Sequence, residues 1–214
     1  MDGRIGAYFN SKFVELIDPS LVNTIFELGA GDGLDAIKLS EFYDADVCGF
    51  ECNANLLKIC TDRILDFDRV RLEPQAVWSE TKIIPYYPVI NGNDSASSCF
   101  MAADAYPYEH YIQEETTVEA IALMDFIDST DIKPDMLCID LQGAEEHALI
   151  GMGQYLEDVK YIITEGQTSC MYHGASTIFD IGHLLTQCGF VMKHSESVNE
   201  WYGDYLFVNE EKVN

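Results

Sequence analysis

Near the N-terminus an apolar run closes on an acid and then crosses a glycine-dense turn, Thr24-Ile-Phe-Glu-Leu-Gly-Ala-Gly-Asp-Gly-Leu34. Leu34, Ile37, Leu39 and Phe42 follow at helical spacing. Strand, glycine loop and helix, in that order, let an α/β sheet offer bare backbone to a nucleotide-like ligand. A Cβ in such a turn would obstruct both the positive φ and the ligand.

The remaining chain supplies more units of the same kind. Val47-Cys-Gly-Phe50, Val70-Arg-Leu72, Met136-Leu-Cys-Ile-Asp140 and Tyr161-Ile-Ile-Thr-Glu165 read as short buried strands. Gln75-Ala-Val-Trp78 reads as a continuation of the third, and Lys82 to Pro88 as a further β-like run. Helical patterns cover Tyr8 to Ile17, Asn55 to Phe67, Glu145 to Met152 and Thr177 to Cys188, the last stopped by Gly189. In the second of these, Leu56, Leu57, Ile59, Cys60, Ile64 and Leu65 are expected to face inward. Thr117 to Ile127 mixes a strand entry with a helix, and Phe190-Val-Met-Lys193 with Asp204-Tyr-Leu-Phe-Val208 reads as an antiparallel pair. The expected fold is therefore α/β: a Rossmann-like, doubly wound, mostly parallel sheet ending in an antiparallel hairpin. One domain over residues 1–214 suits the length. Residues 1–22 form a helical cap, and 88–116 a substrate or lid insertion.

That insertion lies in a stretch without a single Lys or Arg, from Ile83 to Ile132. It holds the loop-like Asn91-Gly-Asn-Asp-Ser-Ala-Ser-Ser98 and then Phe100, Tyr106, Pro107, Tyr108, His110 and Tyr111. Its tyrosines either enclose a neutral, hydroxyl-rich or basic ligand or pack back on the sheet.

Charge narrows the partners. The chain carries 37 acids against 12 Lys plus Arg, a net charge of -25. Such a surface repels phosphate backbones and anionic lipid, so neither nucleic acid nor a membrane is an expected partner. The acid excess either coats a solvated surface or selects neutral or cationic substrates. No window approaches the roughly 18 apolar residues of a membrane helix, and Met1 to Gly6 lacks a secretion-signal core. A cytoplasmic protein is expected. Seven cysteines without a Cys-x-x-Cys pair read as reduced, mostly buried thiols.

The ligand of the glycine loop follows by elimination. A P-loop requires Gly-Lys-Ser/Thr, whereas Leu34-Asp35 follows Gly33. A dinucleotide would set its pyrophosphate beside Asp32 and Asp35, at an electrostatic cost. S-adenosylmethionine carries a sulfonium and an ammonium but no phosphate, so nearby carboxylates favour it. Glu27, at the end of the first strand, can face its amino-acid portion. Glu51 ends the second strand about 20 residues beyond the loop, where an acid can accept both ribose hydroxyls. Ala76 and Val77 would lie near adenine. Asp140 ends a buried strand at the same sheet edge, and can hold the ammonium, orient a substrate hydroxyl or bind a metal.

With these residues in view, the chain resembles the FkbM family of S-adenosylmethionine-dependent methyltransferases from about Asn23 to Phe190. Phe26-Glu-Leu-Gly-Ala-Gly-Asp-Gly33 resembles the first motif, and Gly49-Phe-Glu-Cys-Asn-Ala-Asn-Leu56 the acidic second. Cys52 and Ala54 stand where the family usually has prolines. Ala76-Val77 and Ser97-Ser98 are similar to shorter motifs. Ile139-Asp-Leu-Gln-Gly-Ala-Glu145 is similar to a stretch close to Lys-Ile-Asp-Val-Glu-Gly-Ala-Glu, with Cys138 for the lysine and Gln142 for the first glutamate. The resemblance implies a class I methyltransferase fold and a cofactor site at Glu27, Gly29, Ala30, Gly31, Asp32, Glu51, Cys52, Asn53, Ala76, Val77 and Asp140. It implies methylation of varied acceptors, mostly at hydroxyls and sometimes at nitrogen.

The candidate base is Asp140, Glu165, His147 or His173, with Gln142 hydrogen-bonded to the acceptor. Glu145 is expected to cap its helix, and His147 to sit on that helix's surface. Asp140 and Glu165 could hold a divalent metal with water, although no His cluster or ligand spacing marks one, so no metal ligand is assigned. The expected activity is O-methylation of a small, sugar-like or natural-product-like acceptor. The alternative is a non-catalytic S-adenosylmethionine-binding or interaction protein on the same fold. The sequence does not fix the oligomeric state, and a homodimer is compatible with it.

Overall fold

The computed structural model describes residues 7–103 and 111–213. A seven-stranded sheet has the order β3-β2-β1-β7-β8-β10-β9. Its strands are β1 (Thr24–Leu28), β2 (Asp46–Phe50), β3 (Val70–Glu73), β7 (Met136–Ile139), β8 (Tyr161–Gln167), β9 (Phe190–Ser197) and β10 (Tyr202–Asn209). All neighbours are parallel except β10, which runs antiparallel to both β8 and β9. The helices are α1 (Ser11–Leu16), α2 (Leu34–Tyr43), α3 (Ala54–Ile64), α4 (Leu123–Thr130), α5 (Glu145–Gly151), α6 (Ile178–Gln187) and α7 (Glu210–Val213). No helix among the described residues is long and apolar enough to cross a membrane.

Strand periodicity divides the core into two faces. Phe26, Leu28, Leu137, Ile139 and Ile162 pack with α4, α5 and α6. Ile25, Met136, Cys138, Tyr161, Ile163, Leu206 and Val208 pack with α2, Tyr8 and Phe13. Alternation along a strand places Glu27 on the face of Ile25, Asp140 on that of Cys138, Glu165 on that of Ile163 and Asp204 on that of Leu206. Four carboxylates thus reach one edge of the sheet on the same side.

Local chemistry explains where elements stop. The capping box of Thr177 and Asp180 starts α6. Pro74 interrupts the expected continuation of β3: it has no N–H with which to extend the ladder. Only β4 (Ala76–Val77) follows, and it leaves the main sheet to pair with β6 (Thr116–Ile121), which also pairs with β5 (Lys82–Tyr86), in a three-stranded sheet.

Other expectations are corrected. Only Leu56 and Cys60, one turn apart, are buried on α3. Ile59 is 46% exposed, and Leu65, beyond the helix end, 79%. Leu34 and Phe42 are exposed on α2, Phe42 packing edge-on against Phe9 and Tyr43. The helix expected over Tyr8 to Ile17 is a 3-10 turn, Ala7–Phe9, and the six-residue α1 capped by Asn10. Cys170 is exposed, whereas Cys48, Cys60 and Cys138 are buried. Within 88–116, bridges pair Val89 with Gln113 and Ala102 with Tyr172. Tyr106, Pro107, Tyr108 and His110 lie outside the described residues, as does the Met1 to Gly6 stretch.

Candidate active site

The glycine loop is stitched to the second strand: the N–H groups of Gly29 and Ala30 both donate to the Phe50 carbonyl at 2.9 Å. Gly29 has φ +89° and lies against β7, where a Cβ would come within 2.0 Å of the Asp140 carbonyl oxygen. Gly31, at φ +55°, has nothing within 4 Å of that position. One glycine therefore serves packing, and the other keeps space open.

A cleft of about 640 Å³ opens at this edge. The loop residues Gly29 to Asp32 form one side, and Leu56, Ile59, Ala76, Val77 and Tyr86 supply much of its apolar lining. Glu27, Asp35, Glu51, Asp140, Glu165 and Asp204 also line it. The one Lys or Arg on its wall, among the described residues, is Arg63, which pairs with the Asp32 carboxylate and bonds its carbonyl at 2.9 Å.

Glu51 is 8% exposed. Its Oε2 accepts the Gly31 N–H at 2.9 Å, while Oε1 accepts those of Cys52 at 2.8 Å and Asn53 at 2.7 Å. Burial pushes its pKa up against the downward pull of these three bonds. Asn53 caps α3 and donates to Ser97 Oγ at 3.2 Å, so it ties this corner to the 94–98 turn from behind the cleft wall.

Glu27 is 1% exposed, and its Oε2 has no hydrogen-bond partner. Burial raises its pKa well above the ordinary range, followed by the fields of Asp35, Glu51, Asp32 and Asp140. An unpartnered buried carboxylate oxygen is costly, and a cationic ligand group would relieve it.

The third cluster centres on Gln142. Its Nε2 donates to Asp140 Oδ1 at 2.6 Å and to Glu165 Oε1 at 3.1 Å. Burial raises the pKa of both carboxyls, most strongly for Glu165, where the fields of Asp140, Glu145 and Asp204 add to it. Glu145 turns back on its own loop, Oε1 accepting the N–H groups of Leu141 and Gly143, each at 3.0 Å. Burial lifts its pKa to about 7.

Among the sequence-derived candidates, Glu27, Gly29, Ala30, Gly31, Asp32, Glu51, Cys52, Ala76, Val77, Asp140, Gln142 and Glu165 line the cleft. Asn53 and His173 are not on its wall. His173 is exposed in the loop after β8, its N–H bonded to the Met101 carbonyl. His147 is not a free surface residue: it is half-buried, stacked on Trp78 at 3.7 Å. Asp35, expected beside the loop's ligand, lines the cleft, and so do Tyr8 and Asp204, which the sequence motifs did not mark. Period-two alternation back from Leu206 marks Asp204; Tyr8 depends on the N-terminal turn. Among the described residues, no group of three or more His, Cys, Asp or Glu forms a candidate metal site.

Comparison with known proteins agrees with this architecture. The model of the methyltransferase FkbM domain matches residues 34–192. The chain belongs to the FkbM family of S-adenosylmethionine-dependent methyltransferases. The match begins just after the glycine loop. The 2-O-methyltransferase NoeI of Sinorhizobium fredii (strain NBRC 101917 / NGR234) is 24% identical over 195 residues, covering 86% of this chain and 79% of NoeI. Among solved structures, the Methanococcus jannaschii fibrillarin pre-rRNA processing protein aligns with a TM-score of 0.55 at 11% identity, over 90% of this chain and 69% of that one. Aeropyrum pernix fibrillarin, solved with natively bound S-adenosyl-L-methionine, aligns at 0.52 and 11%, over 87% of this chain. The match spans 66% of that fibrillarin, just under two thirds of its length. These structural likenesses bear on the fold alone.

Proposed function

We propose that this cleft binds S-adenosylmethionine and that the enzyme methylates a hydroxyl of a small neutral or cationic acceptor. The observation that carries the cofactor reading is Glu27: a buried carboxylate on the cleft wall with one oxygen unpartnered, suited to an ammonium. Glu51 fits a ribose. About four lone-pair directions are available on a carboxylate; backbone N–H groups take three. One hydroxyl finds room on Oε2, and a second requires the Gly31 N–H to give way. Leu56, Ile59, Ala76 and Val77 supply an apolar wall for adenine.

When bound, S-adenosylmethionine supplies a methyl carbon already activated by its sulfonium. The protein then has to position the acceptor and accept its proton. Asp140 and Glu165 are suited to that proton, since burial raises their basicity above that of an ordinary carboxylate. Gln142 holds the two together. Ser97, Ser98 and Cys99 bring the 88–116 segment to the same wall, which supports its role on the acceptor side. The O-methyltransferase named among the relatives supports oxygen as the acceptor atom. The acidic wall and the net charge of -25 favour small neutral or cationic acceptors over polyanions.

Calorimetry with S-adenosylhomocysteine tests the cofactor site. Glu51→Ala should weaken binding by about 10- to 100-fold; unchanged affinity would remove Glu51 from the site. Release of S-adenosylhomocysteine from S-adenosylmethionine across hydroxylated and amine acceptors tests the chemistry. Turnover confined to amines would refute the hydroxyl assignment.

A further inference from the structure

Gln142 is held in an unusual way. It is a non-glycine residue at φ +52°, a left-handed conformation unfavourable for a residue with a Cβ. Side chains from two separate loops anchor it. Ser98 Oγ donates to its backbone carbonyl at 2.7 Å, and the Tyr172 hydroxyl donates to its side-chain Oε1, also at 2.7 Å. The same hydroxyl lies 3.2 Å from the Ala96 carbonyl.

Consider the two orientations of this amide. With Nε2 towards Asp140 and Glu165, each carboxylate accepts a hydrogen bond from the amide. Turned over, the amide would set Oε1 against two carboxyl groups, which is favourable only when they are protonated and can donate to it. Tyr172 would then have to receive an N–H and send its own proton to Ala96. The short bond from Tyr172 to Oε1 therefore opposes the orientation that favours protonated acids. It also polarises the amide, strengthening both donations on the far side.

We propose that Tyr172 is a positioning residue that fixes the Gln142 amide and thereby keeps the Asp140–Glu165 pair ready to accept a proton. The link to catalysis rests on the reading of that pair as the proton acceptor; the coupling itself does not. The charged and titratable groups facing the pair are Glu27 on β1, Asp35 on α2, Glu51 after β2, Glu145 on α5, Asp204 on β10 and the phenol of Tyr8. The surrounding acids and the phenol contribute no positive charge, so the donations from Gln142 oppose the local tendency to hold protons.

The test needs no acceptor. In ¹³C,¹⁵N-labelled protein, pH titration follows the Asp and Glu side-chain carboxyl carbons together with the side-chain NH₂ signal that disappears in Gln142→Ala. In the wild type this NH₂ signal should titrate with the Asp140 and Glu165 carboxyl signals. In Tyr172→Phe those carboxyl transitions should move up by about 0.5 pH unit or more. A folded Tyr172→Phe protein with both transitions unmoved would overturn the proposal. Should that variant fail to fold, the wild type decides: an NH₂ signal that does not share the carboxyl transitions rules out the coupling. Calorimetry of the wild type with S-adenosylhomocysteine is a separate measurement. Failure there would sink the cofactor reading and leave the titration result standing.

Discussion

Asp204 on β10 and Glu165 on β8 lie directly opposite each other in the antiparallel ladder, so two carboxylates meet on the cleft wall. Like charges in that register are unfavourable. The field of Asp204 helps raise the Glu165 pKa, and Asp204 itself has a pKa of about 6, raised first by burial and then by the fields of Asp140 and Glu196.

That shift has a definite sign in stability. The folded state holds the Asp204 proton more tightly than the unfolded chain does. Its stabilising contribution is full below the ordinary value near ~4 and is lost as pH rises through about 6. Asp204→Asn removes this loss. The variant should melt several degrees above the wild type at pH 8, corresponding to about 1–3 kcal/mol, and close to it at pH 4. Equal differences at both pH values would show that Asp204 does not titrate in this way.

The glycine loop separates two kinds of glycine. At Gly29 a Cβ would collide with the Asp140 backbone, in a conformation already at φ +89°. Gly29→Ala should cost more than about 3 kcal/mol, or prevent folding. At Gly31 the Cβ position is open, although φ is +55°. Gly31→Ala should cost only about 1 kcal/mol, yet weaken S-adenosylhomocysteine binding at least tenfold by filling the space proposed for the cofactor. Urea melts and calorimetry on the two variants check this; equal loss of stability would contradict the division.

Glu145 gives a test of the turn that carries Asp140 and Gln142. Its Oε1 is the acceptor for the Leu141 and Gly143 N–H groups. Glu145→Ala strands both donors and should cost about 2–4 kcal/mol. Glu145→Gln can still accept with its carbonyl oxygen, so its loss at neutral pH should be under half as large. Urea melts of the two variants at pH 7 compare them. Similar losses would mean that this oxygen does not hold the turn.

Much of this framework is readable in the chain because it is local. Continuous apolar runs ending on acids mark β1, β2 and β7, and Glu51 follows from its distance beyond the glycine loop. Pro74 is also in plain view, and its missing N–H explains why Ala76–Val77 cannot continue β3. Residues arriving from elsewhere are harder. Asp204 belongs to the cleft because β10 enters the sheet in reverse, bringing its beginning to the edge where the parallel strands end. Tyr8 arrives through a single 3-10 turn that helical spacing does not disclose. His147 follows the Asp140 motif closely, but its place is set by Trp78, nearly 70 positions earlier, on which it stacks. His173 lies in the loop after β8 next to buried Tyr172, but its own side chain is exposed and off the cleft wall, which its position in the chain does not disclose.

Glu27 allows fold and ligand to be tested in one substitution. Its unpartnered oxygen burdens the ligand-free chain, whereas a cationic group in the cleft would turn the same oxygen into a binding contact. Burial raises its pKa well above the ordinary carboxylate range, so its contribution to stability is full below that range and falls away as pH rises towards the folded value. Glu27→Gln removes this pH-dependent loss. It should raise the melting temperature of the free protein by a few degrees at pH 8 and much less at pH 4. The same change should weaken S-adenosylhomocysteine binding by about tenfold or more, because the amide brings no charge to the ligand's ammonium. Opposite signs in the two measurements are the expected signature. A variant less stable at pH 8 yet unchanged in affinity would instead make Glu27 a structural acid with no part in cofactor recognition.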